Sequence, residues 1–346
     1  MKYFLITGAL GFIGSNFVNY MSLKYPHARF IILDKKDYCS SMENINKLSS
    51  HNTEIIIGDI QNNELIYYIL TKYEIDTVVH FAAQTHVDNS FYNSVEFTKN
   101  NVLGTHILLE TLRLYQINTN RIEKIIHIST DEVYGEVTDN IARDESAVLD
   151  ATNPYAASKI GAEAIAKSYY YSYKLPIIIT RGNNVYGINQ FPEKIVPKFI
   201  CKLLDGEKLT IMGNGSSKRN FIYVDDVSTA IENIILKGET GQIYNIGSDH
   251  DNEYTVMQLS KMLIKLFYPE INVDDPNEIN KYIDYIEDRP FHDCRYFISN
   301  EKIEKLGWKP TKTNLTENLK ILIDWYRINR HRYNYKSYNP IIKTNT

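Results

Sequence analysis

The stretch TGALGFIG, Thr7 to Gly14, decides the fold. It follows a short apolar run and opens a helical pattern. Gly8, Gly11 and Gly14 form G-x-x-G-x-x-G, with Phe12 and Ile13 between the last two glycines. Such spacing suits a tight turn, close backbone approach to a pyrophosphate, and a helix N-terminus aimed at it. Glycine triplets serve many strand-to-helix turns, so context carries the reading. Asp34 ends the next apolar run, 20 residues after Gly14. A carboxylate there suits a ribose 2′-OH and repels a 2′-phosphate, which favours NAD over NADP. Lys35 and Lys36 pull the other way, because they could answer a 2′-phosphate. The plain structural reading of Asp34 is a helix cap or turn.

Outward from this loop, β-branched runs alternate with helical patterns. Strands are expected at Tyr3–Thr7, Phe30–Leu33, Glu54–Ile57, Thr77–His80, Lys124–Ser129 and Ile177–Thr180. Helices are expected at Phe12–Lys24, Asn63–Tyr73, Asn101–Tyr115 and Pro154–Tyr173. This α/β alternation predicts a doubly wound parallel sheet with helices on both faces. GDI (58–60) and FAAQT (81–85) end the third and fourth strands, so Asp59, Ile60, Ala82, Ala83 and Thr85 fall where ligands of such sheets bind. After about Arg181 the pattern loosens into turn-rich stretches such as MGNGSSKRN. The expected organisation is a nucleotide-binding domain over 1–184 with returns near 218–246. A smaller, interleaved C-terminal substrate domain would take 185–217 and 247–330, followed by a flexible tail over 331–346.

Composition bounds the function classes. The chain has 346 residues, enough for one large or two modest domains. It is 43% hydrophobic and 23% charged, ordinary for a soluble globular protein. A net charge of −4 offers no basic footprint for nucleic acid or an anionic membrane. Cys39, Cys201 and Cys294 form neither a metal pattern nor a disulfide framework, so no metal is expected and a reducing, cytoplasmic setting is. MKYFLITGAL is apolar too briefly for a signal segment, and no run approaches transmembrane length.

The chemistry gathers in two stretches. NPYAASK supplies Tyr155 and Lys159, which are i, i+4 and share a helix face. Asn153 can cap that helix and Pro154 suits its first position. An ammonium near a phenol favours the phenolate, so Tyr155 could act as a base toward an alcohol. Many Y-x-x-x-K pairs are only surface pairs. STDEVYG, 129–135, follows an apolar run and places Asp131 and Glu132 side by side just past Thr130. An acidic surface turn is the plain reading of that pair.

Together these stretches resemble the extended short-chain dehydrogenase/reductases along nearly the whole chain. Within them the chain is similar to the nucleotide-sugar 4,6-dehydratases. The matching stretches, in order, are TGALGFIG, DKKDYCS, FAAQTHVDNSF, FTKNNVLGTHILLE, STDEVYGE, NPYAASK, RGNNVYG, QFPEKIVPKFI, RNFIYVDDV and RPFHDCRY. The resemblance implies a Rossmann-like fold, NAD as cofactor, and a role for the acidic pair. Tyr155 would take the C4 hydroxyl proton of the sugar, with Thr130 on the C4 oxygen and hydride passing to NAD. Lys159 would hold Tyr155 ionised and bind the nicotinamide ribose. Glu132 would remove the C5 proton, Asp131 would protonate the departing C6 hydroxyl, and the hydride would return to C6. Asp131 would then need to stay protonated and Glu132 ionised. Thr98 joins the implied cofactor set.

On the substrate side the resemblance places Thr85 and Asn184 against the sugar nucleotide, and Arg219, Arg289 and His292 near its diphosphate, where arginine's planar fork suits phosphate oxygens. Lys194 to Phe199, including Lys198, and Leu209 to Ile211 would line the base and ribose. Gln84 and Phe291 stand where the bacterial dTDP-glucose enzymes have Glu and Gly. DKKDYCS, FAAQTHVDNSF and RGNNVYG look more like the dehydratase domain of plant UDP-rhamnose synthases, which favours UDP-glucose over dTDP-glucose and a rhamnose-type pathway. Those plant enzymes carry a further epimerase/reductase domain, so a separate enzyme is expected to finish the sugar. The rival readings are a UDP-sugar 4-epimerase or decarboxylase, which need not expel a C6 hydroxyl, and a non-catalytic NAD-binding regulator. Relatives are usually homodimers paired through the helices matching Asn101–Tyr115 and Pro154–Tyr173. Apolar Ile107, Leu108, Leu112 and Leu114 on one, and Ile160, Ala164, Tyr169 and Tyr170 on the other, are compatible with that pairing.

Overall fold

The computed structural model describes residues 2–46, 51–288 and 293–337. Its first half alternates β1 (Tyr3–Thr7), α1 (Phe12–Lys24), β2 (Arg29–Asp34), β3 (Thr53–Ile57), α2 (Asn63–Lys72) and β4 (Thr77–His80). Short helices α3 (Val87–Tyr92) and α4 (Ser94–Phe97) lead through a π-helical turn at Thr98–Leu103 into α5 (Gly104–Thr119). Then come β5 (Lys124–Thr130), a 3-10 turn at Asp131–Tyr134, α6 (Pro154–Tyr173), β6 (Ile177–Gly182) and β7 (Asn184–Tyr186). The second half holds α7 (Ile195–Leu204), β8 (Leu209–Met212), β9 (Lys218–Tyr223), α8 (Val224–Lys237), β10 (Ile243–Ile246), β11 (Glu253–Thr255) and α9 (Val256–Phe267). It ends with α10 (Pro276–Ile279), β12 (Ile283–Ile286), α11 (Glu301–Glu304) and α12 (Leu315–Asn329).

Seven strands form one sheet in the order β10-β6-β5-β4-β1-β2-β3. Every pairing in it is parallel, so both faces must be covered by helices. The strands accordingly read as continuous apolar runs whose alternate residues enter different cores. Ile6, Phe30, Ile32, Ile126 and Ile178 pack on α1 and α8 through Phe17, Met21, Ile231 and Ile234. Leu5, Ile31, Leu33, Val78 and Ile125 pack on α2, α5 and α6 through Ile69, Leu108, Leu112 and Ala166. This is the doubly wound, Rossmann-like α/β fold with strand order 3-2-1-4-5-6 extended by β10. A second lobe encloses Phe199, Ile200, Leu259, Leu263, Leu319, Leu322 and Tyr326 from α7, α9 and α12. The small sheet β11-β9-β7 joins the two, with Ile222 in the first core and Phe221 and Tyr223 in the second, and β12-β8 sends Leu209, Ile211 and Ile283 into the second.

The structure departs from the sequence reading at two places. The helix expected from Asn101 starts as a π turn at Thr98, and its α-helical part begins at Gly104. Residues 331–337, expected in a flexible tail, instead continue onto the second lobe. Tyr333 is buried there, and Tyr335 donates to Asp205 Oδ2 at 2.6 Å. Aromatic anchors at this spacing outweigh the segment's polar composition. The rest of that tail, 338–346, lies outside the described residues. No helix among the described residues is long and apolar enough to cross a membrane.

Candidate active site

A cleft of about 440 Å³ runs along the carboxyl ends of the sheet strands and on between the sheet and the second lobe. At one end it is lined by Gly8, Gly11, Phe12, Ile13, Gly14, Asp34, Asp59, Ile60, Ala82 and Ala83. The glycines are dictated by contact. A Cβ on Gly8 would lie 2.5 Å from Ala82 N, and one on Gly14 would lie 2.8 Å from Ala9 Cα. The N-terminus of α1 has no side-chain cap, so its first N–H groups remain available to an anion. Asp34 is buried, and burial pushes its carboxyl up while the N–H groups of Lys36 and Leu10 oppose this. Those two amides donate to its oxygens at 2.7 and 2.9 Å, which leaves lone pairs for a ribose hydroxyl. Lys35 does not stand free to meet a 2′-phosphate. Its ammonium donates to Asn100 Oδ1 at 2.6 Å and lies 3.5 Å from Asp37. This end of the cleft fits a dinucleotide without a 2′-phosphate.

Thr98 does not line the cleft. The π turn leaves it exposed and turns the buried Asn100 inward instead. Thr85, Asn184, Lys194, Lys198 and Arg219 all line the far end. Lys194 Nζ donates to Thr85 O at 2.7 Å, and Arg219 stacks over the Tyr296 ring at 4.8 Å. Arg289, Phe291 and His292 lie outside the described residues.

Between these ends stand Thr130, Asp131, Glu132, Tyr155 and Lys159, all lining the cleft. Thr130 ends β5 in an extended conformation and accepts Glu132 N, so the 3-10 turn after it carries both acids inward. The acidic pair is therefore not a surface turn: Asp131 is only 2% exposed, and Glu132 is half-buried and lines the cleft. Burial raises its carboxyl to about 7, against an amide donor from Asn183 and with Glu132 adding to the rise. Asn183 Nδ2 sits 2.8 Å from Asp131 Oδ2. Burial also raises Glu132, but Lys194, Arg219 and Asn153 oppose it. Its Oε2 accepts from Asn153 Nδ2 at 3.2 Å and from Tyr296 OH at 3.3 Å. The two acids thus sit in different settings, as a split acid/base pair requires.

Burial and the charges of Glu132 and Asp131 push the Tyr155 phenol up in this structure, opposed by a hydrogen bond with Thr130. Lys159 Nζ donates to Ile128 O at 2.7 Å, and burial lowers its ammonium to about 8. Tyr155 and Lys159 are both buried on α6, and burial is the largest cause acting on each. Asn183, Asn153, Tyr296 and Asp293 were missed as site residues. Asn183 adjoins Asn184, and Asp293 and Tyr296 lie in the quoted RPFHDCRY, but nothing local to them points at the acids.

Fold and site together define an extended short-chain dehydrogenase/reductase. The family model for GDP-mannose 4,6 dehydratase matches residues 5–321. A trifunctional UDP-glucose 4,6-dehydratase/3,5-epimerase/reductase of Arabidopsis thaliana is 46% identical over 95% of this chain and 47% of its own length. The chain spans about half the length of such plant relatives. The human dTDP-D-glucose 4,6-dehydratase is 44% identical over 96% of this chain and 92% of its own. Among solved structures, a dTDP-glucose 4,6-dehydratase of Streptomyces venezuelae with NAD bound superposes with a TM-score of 0.87 at 34% identity, covering 96% of this chain and 99% of that one. The chain belongs to the nucleotide-sugar 4,6-dehydratase family.

Proposed function

We propose that the chain is an NAD-dependent hydro-lyase that converts UDP-glucose to UDP-4-keto-6-deoxy-glucose, in a UDP-rhamnose-type pathway. The observation that carries this is the buried Asp131 and half-buried Glu132 lining one cleft with Tyr155 and Lys159. An epimerase or decarboxylase has no use for a carboxyl raised to about 7 beside a second acid. NAD, which Gly8, Gly11, Gly14 and Asp34 would hold, would supply the hydride acceptor and donor. The chain's own residues move the protons. Tyr155 takes the C4 hydroxyl proton, with Thr130 hydrogen-bonded beside it. Lys159, fixed on Ile128 O, supplies positive charge under the reacting end. The C4 ketone acidifies C5–H, which Glu132 removes, and Asp131 gives its proton to the departing C6 oxygen. Asn184, Lys194, Lys198 and Arg219 receive the nucleotide side. Arg289 and His292 would complete its diphosphate contacts.

UDP is favoured over dTDP by Gln84, which donates to Asp37 at 2.7 Å, and by the RGNNVYG wording. dTDP-glucose is the second reading, because relatives named for each base match at similar identity. One methyl separates the bases, worth ~1–3 kcal/mol in a pocket. A homodimer through α5 and α6 accompanies the proposal. Leu108 and Leu112 are spent in the core, whereas Leu114, Ile117, Tyr171 and Tyr173 are exposed on these helices. A separate enzyme would carry out the later epimerase and reductase steps, in the same reducing, cytoplasmic compartment. The test is to incubate the protein with each sugar nucleotide, without reductant, and follow product mass. Loss of one water establishes the dehydratase, and the ratio of kcat/KM values sets the base. An isobaric product would make it an epimerase.

A further inference from the structure

Behind Glu132 stands a group that the reaction as described does not use. Tyr296, largely buried, places its hydroxyl 2.6 Å from Asp293 Oδ2 and 3.3 Å from Glu132 Oε2. A phenol has one proton for these two carboxylates. That proton can lie toward either acid: toward Glu132 while that acid is ionised, and toward Asp293, at the shorter distance, when Glu132 is protonated and needs an acceptor. A protonated Glu132 then finds an acceptor in the phenol oxygen, while an ionised Glu132 keeps Asn153 Nδ2 as a donor at 3.2 Å. Beyond Asp293 the line continues: Thr152, half-buried, donates to the same Oδ2 at 2.7 Å. Among the described residues, the other oxygen of Asp293 is buried without a hydrogen-bond partner, and the residue lines the cleft. The Arg219 guanidinium, stacked 4.8 Å above the Tyr296 ring, holds the phenol in place.

We propose that Tyr296 and Asp293 form a proton outlet for Glu132, carrying the hydrogen taken from C5 toward Thr152 and solvent. The inference rests on the dehydratase reading and deepens it. The C5–H bond breaks and its electron pair forms the C5=C6 bond, conjugated with the C4 ketone, as the C6–O bond breaks and the departing oxygen keeps that pair and takes the Asp131 proton. The proton goes to Glu132 Oε2. Glu132 passes a proton to the Tyr296 oxygen while Tyr296 passes its own to Asp293 Oδ2. Asp293 hands that proton to solvent through Thr152, and the chain runs in reverse to reprotonate C5. Without the outlet, Glu132 can only return the proton it took. Tyr296 and Asp293 act through Glu132 and are positioning residues.

The test uses the whole protein with its NAD and the preferred sugar nucleotide in deuterium oxide, reading deuterium at C5 of the product. The unaltered protein exchanges C5 with solvent. Tyr296→Phe keeps the ring and removes the hydroxyl, and its C5 deuterium falls about tenfold, with C4 oxidation in a single turnover retained. Asp293→Asn gives the same fall and serves as the readout if Tyr296→Phe does not fold. A loss of packing alone would slow every step and leave the isotope content unchanged. Unchanged C5 deuterium in a folded variant of either kind overturns the outlet. Failure of the unaltered protein to release water from either sugar nucleotide would instead overturn the dehydratase reading, and the outlet with it.

Discussion

Asn183 Nδ2 donates to Asp131 Oδ2 at 2.8 Å, and this amide is the largest of three groups, with Arg219 and Thr130, that oppose the burial raising the acid. Asn183 is itself fixed. Its N–H donates to Ile246 O at 3.0 Å, and its side chain packs so closely on Gly247 that a Cβ there would lie 2.5 Å from Asn183 Oδ1. Asn300 grips that same glycine, accepting its N–H at 2.7 Å and donating to its carbonyl at 2.8 Å. A loop after β10 thereby sets the donor on an acid after β5.

Asp131 must be protonated to give a proton to the C6 oxygen, so water loss should fall as pH rises through its value of about 7. Asn183→Leu keeps the side-chain size and removes the donor that favours the ionised form. The Asp131 carboxyl then rises further, and the alkaline limb of the water-loss rate moves to higher pH. A pH profile of single-turnover dehydration reads this. A limb that stays put, or moves to lower pH, means that Asp131 is not the titrating acid.

The same burial has a stability consequence. An unfolded Asp ionises near its model value of 3.8, whereas folded Asp131 holds its proton to about 7. The unfolded chain therefore binds fewer protons between these values, and stability falls as pH rises through that window. Above it the full penalty of a buried carboxylate is present. Asp131→Asn should raise Tm at pH 8 relative to the unaltered protein and change it little at pH 3.5. The same variant should retain C4 oxidation and lose most water release. A variant that dehydrates normally would remove Asp131 from the mechanism.

Gly14→Ala tests the nucleotide end. Its Cβ would meet Ala9 Cα at 2.8 Å and Gly8 O at 2.9 Å, both backbone atoms that cannot swing aside. The start of α1 must shift, and with it the uncapped N–H groups. NAD affinity should weaken by about tenfold, corresponding to ~1.4 kcal/mol. Calorimetric titration with NAD measures it, and an unchanged Kd would mean that this helix end does not hold the cofactor.

Legibility followed locality. Strands β1 and β4 and helices α1 and α6 have the ends expected from sequence because each is bounded by a strong local signal. Asn153 is an example: its Oδ1 accepts Ala156 N at 2.9 Å, as a cap should. Its second function, donating to Glu132, depends on a turn 21 residues away and leaves no local trace. Tyr296 reaches Glu132 across 164 residues, a relation that only the folded chain creates. The π turn at Thr98–Leu103 was equally hidden, since TKNNVLG has ordinary helical character and only the hydrogen-bond register differs. That one shift in register exchanges Thr98 for Asn100 at the cleft. The raised Tyr155 phenol was illegible for another reason. Helical spacing predicts who is near, but desolvation depends on everything that closes over the site.

Beneath the catalytic helix lies a charge pair whose loss should be felt in stability. Arg181 and Glu163 are each 1% exposed, with Nη2 and Oε2 2.6 Å apart and a second contact at 3.0 Å from Nε to Oε1. Arg181 Nη1 also donates to Tyr134 OH at 2.8 Å, so the pair joins β6, α6 and the turn that carries the acids. Glu163→Gln leaves the guanidinium buried without its counter-charge and should cost about 3–5 kcal/mol. Replacing both partners by apolar residues of similar volume should recover much of that loss, because no charge then remains buried. Guanidinium chloride unfolding midpoints of the three proteins decide the point. A double replacement as unstable as Glu163→Gln would show that the pair holds the site by shape and hydrogen bonding to Tyr134, and not by cancelling a buried charge.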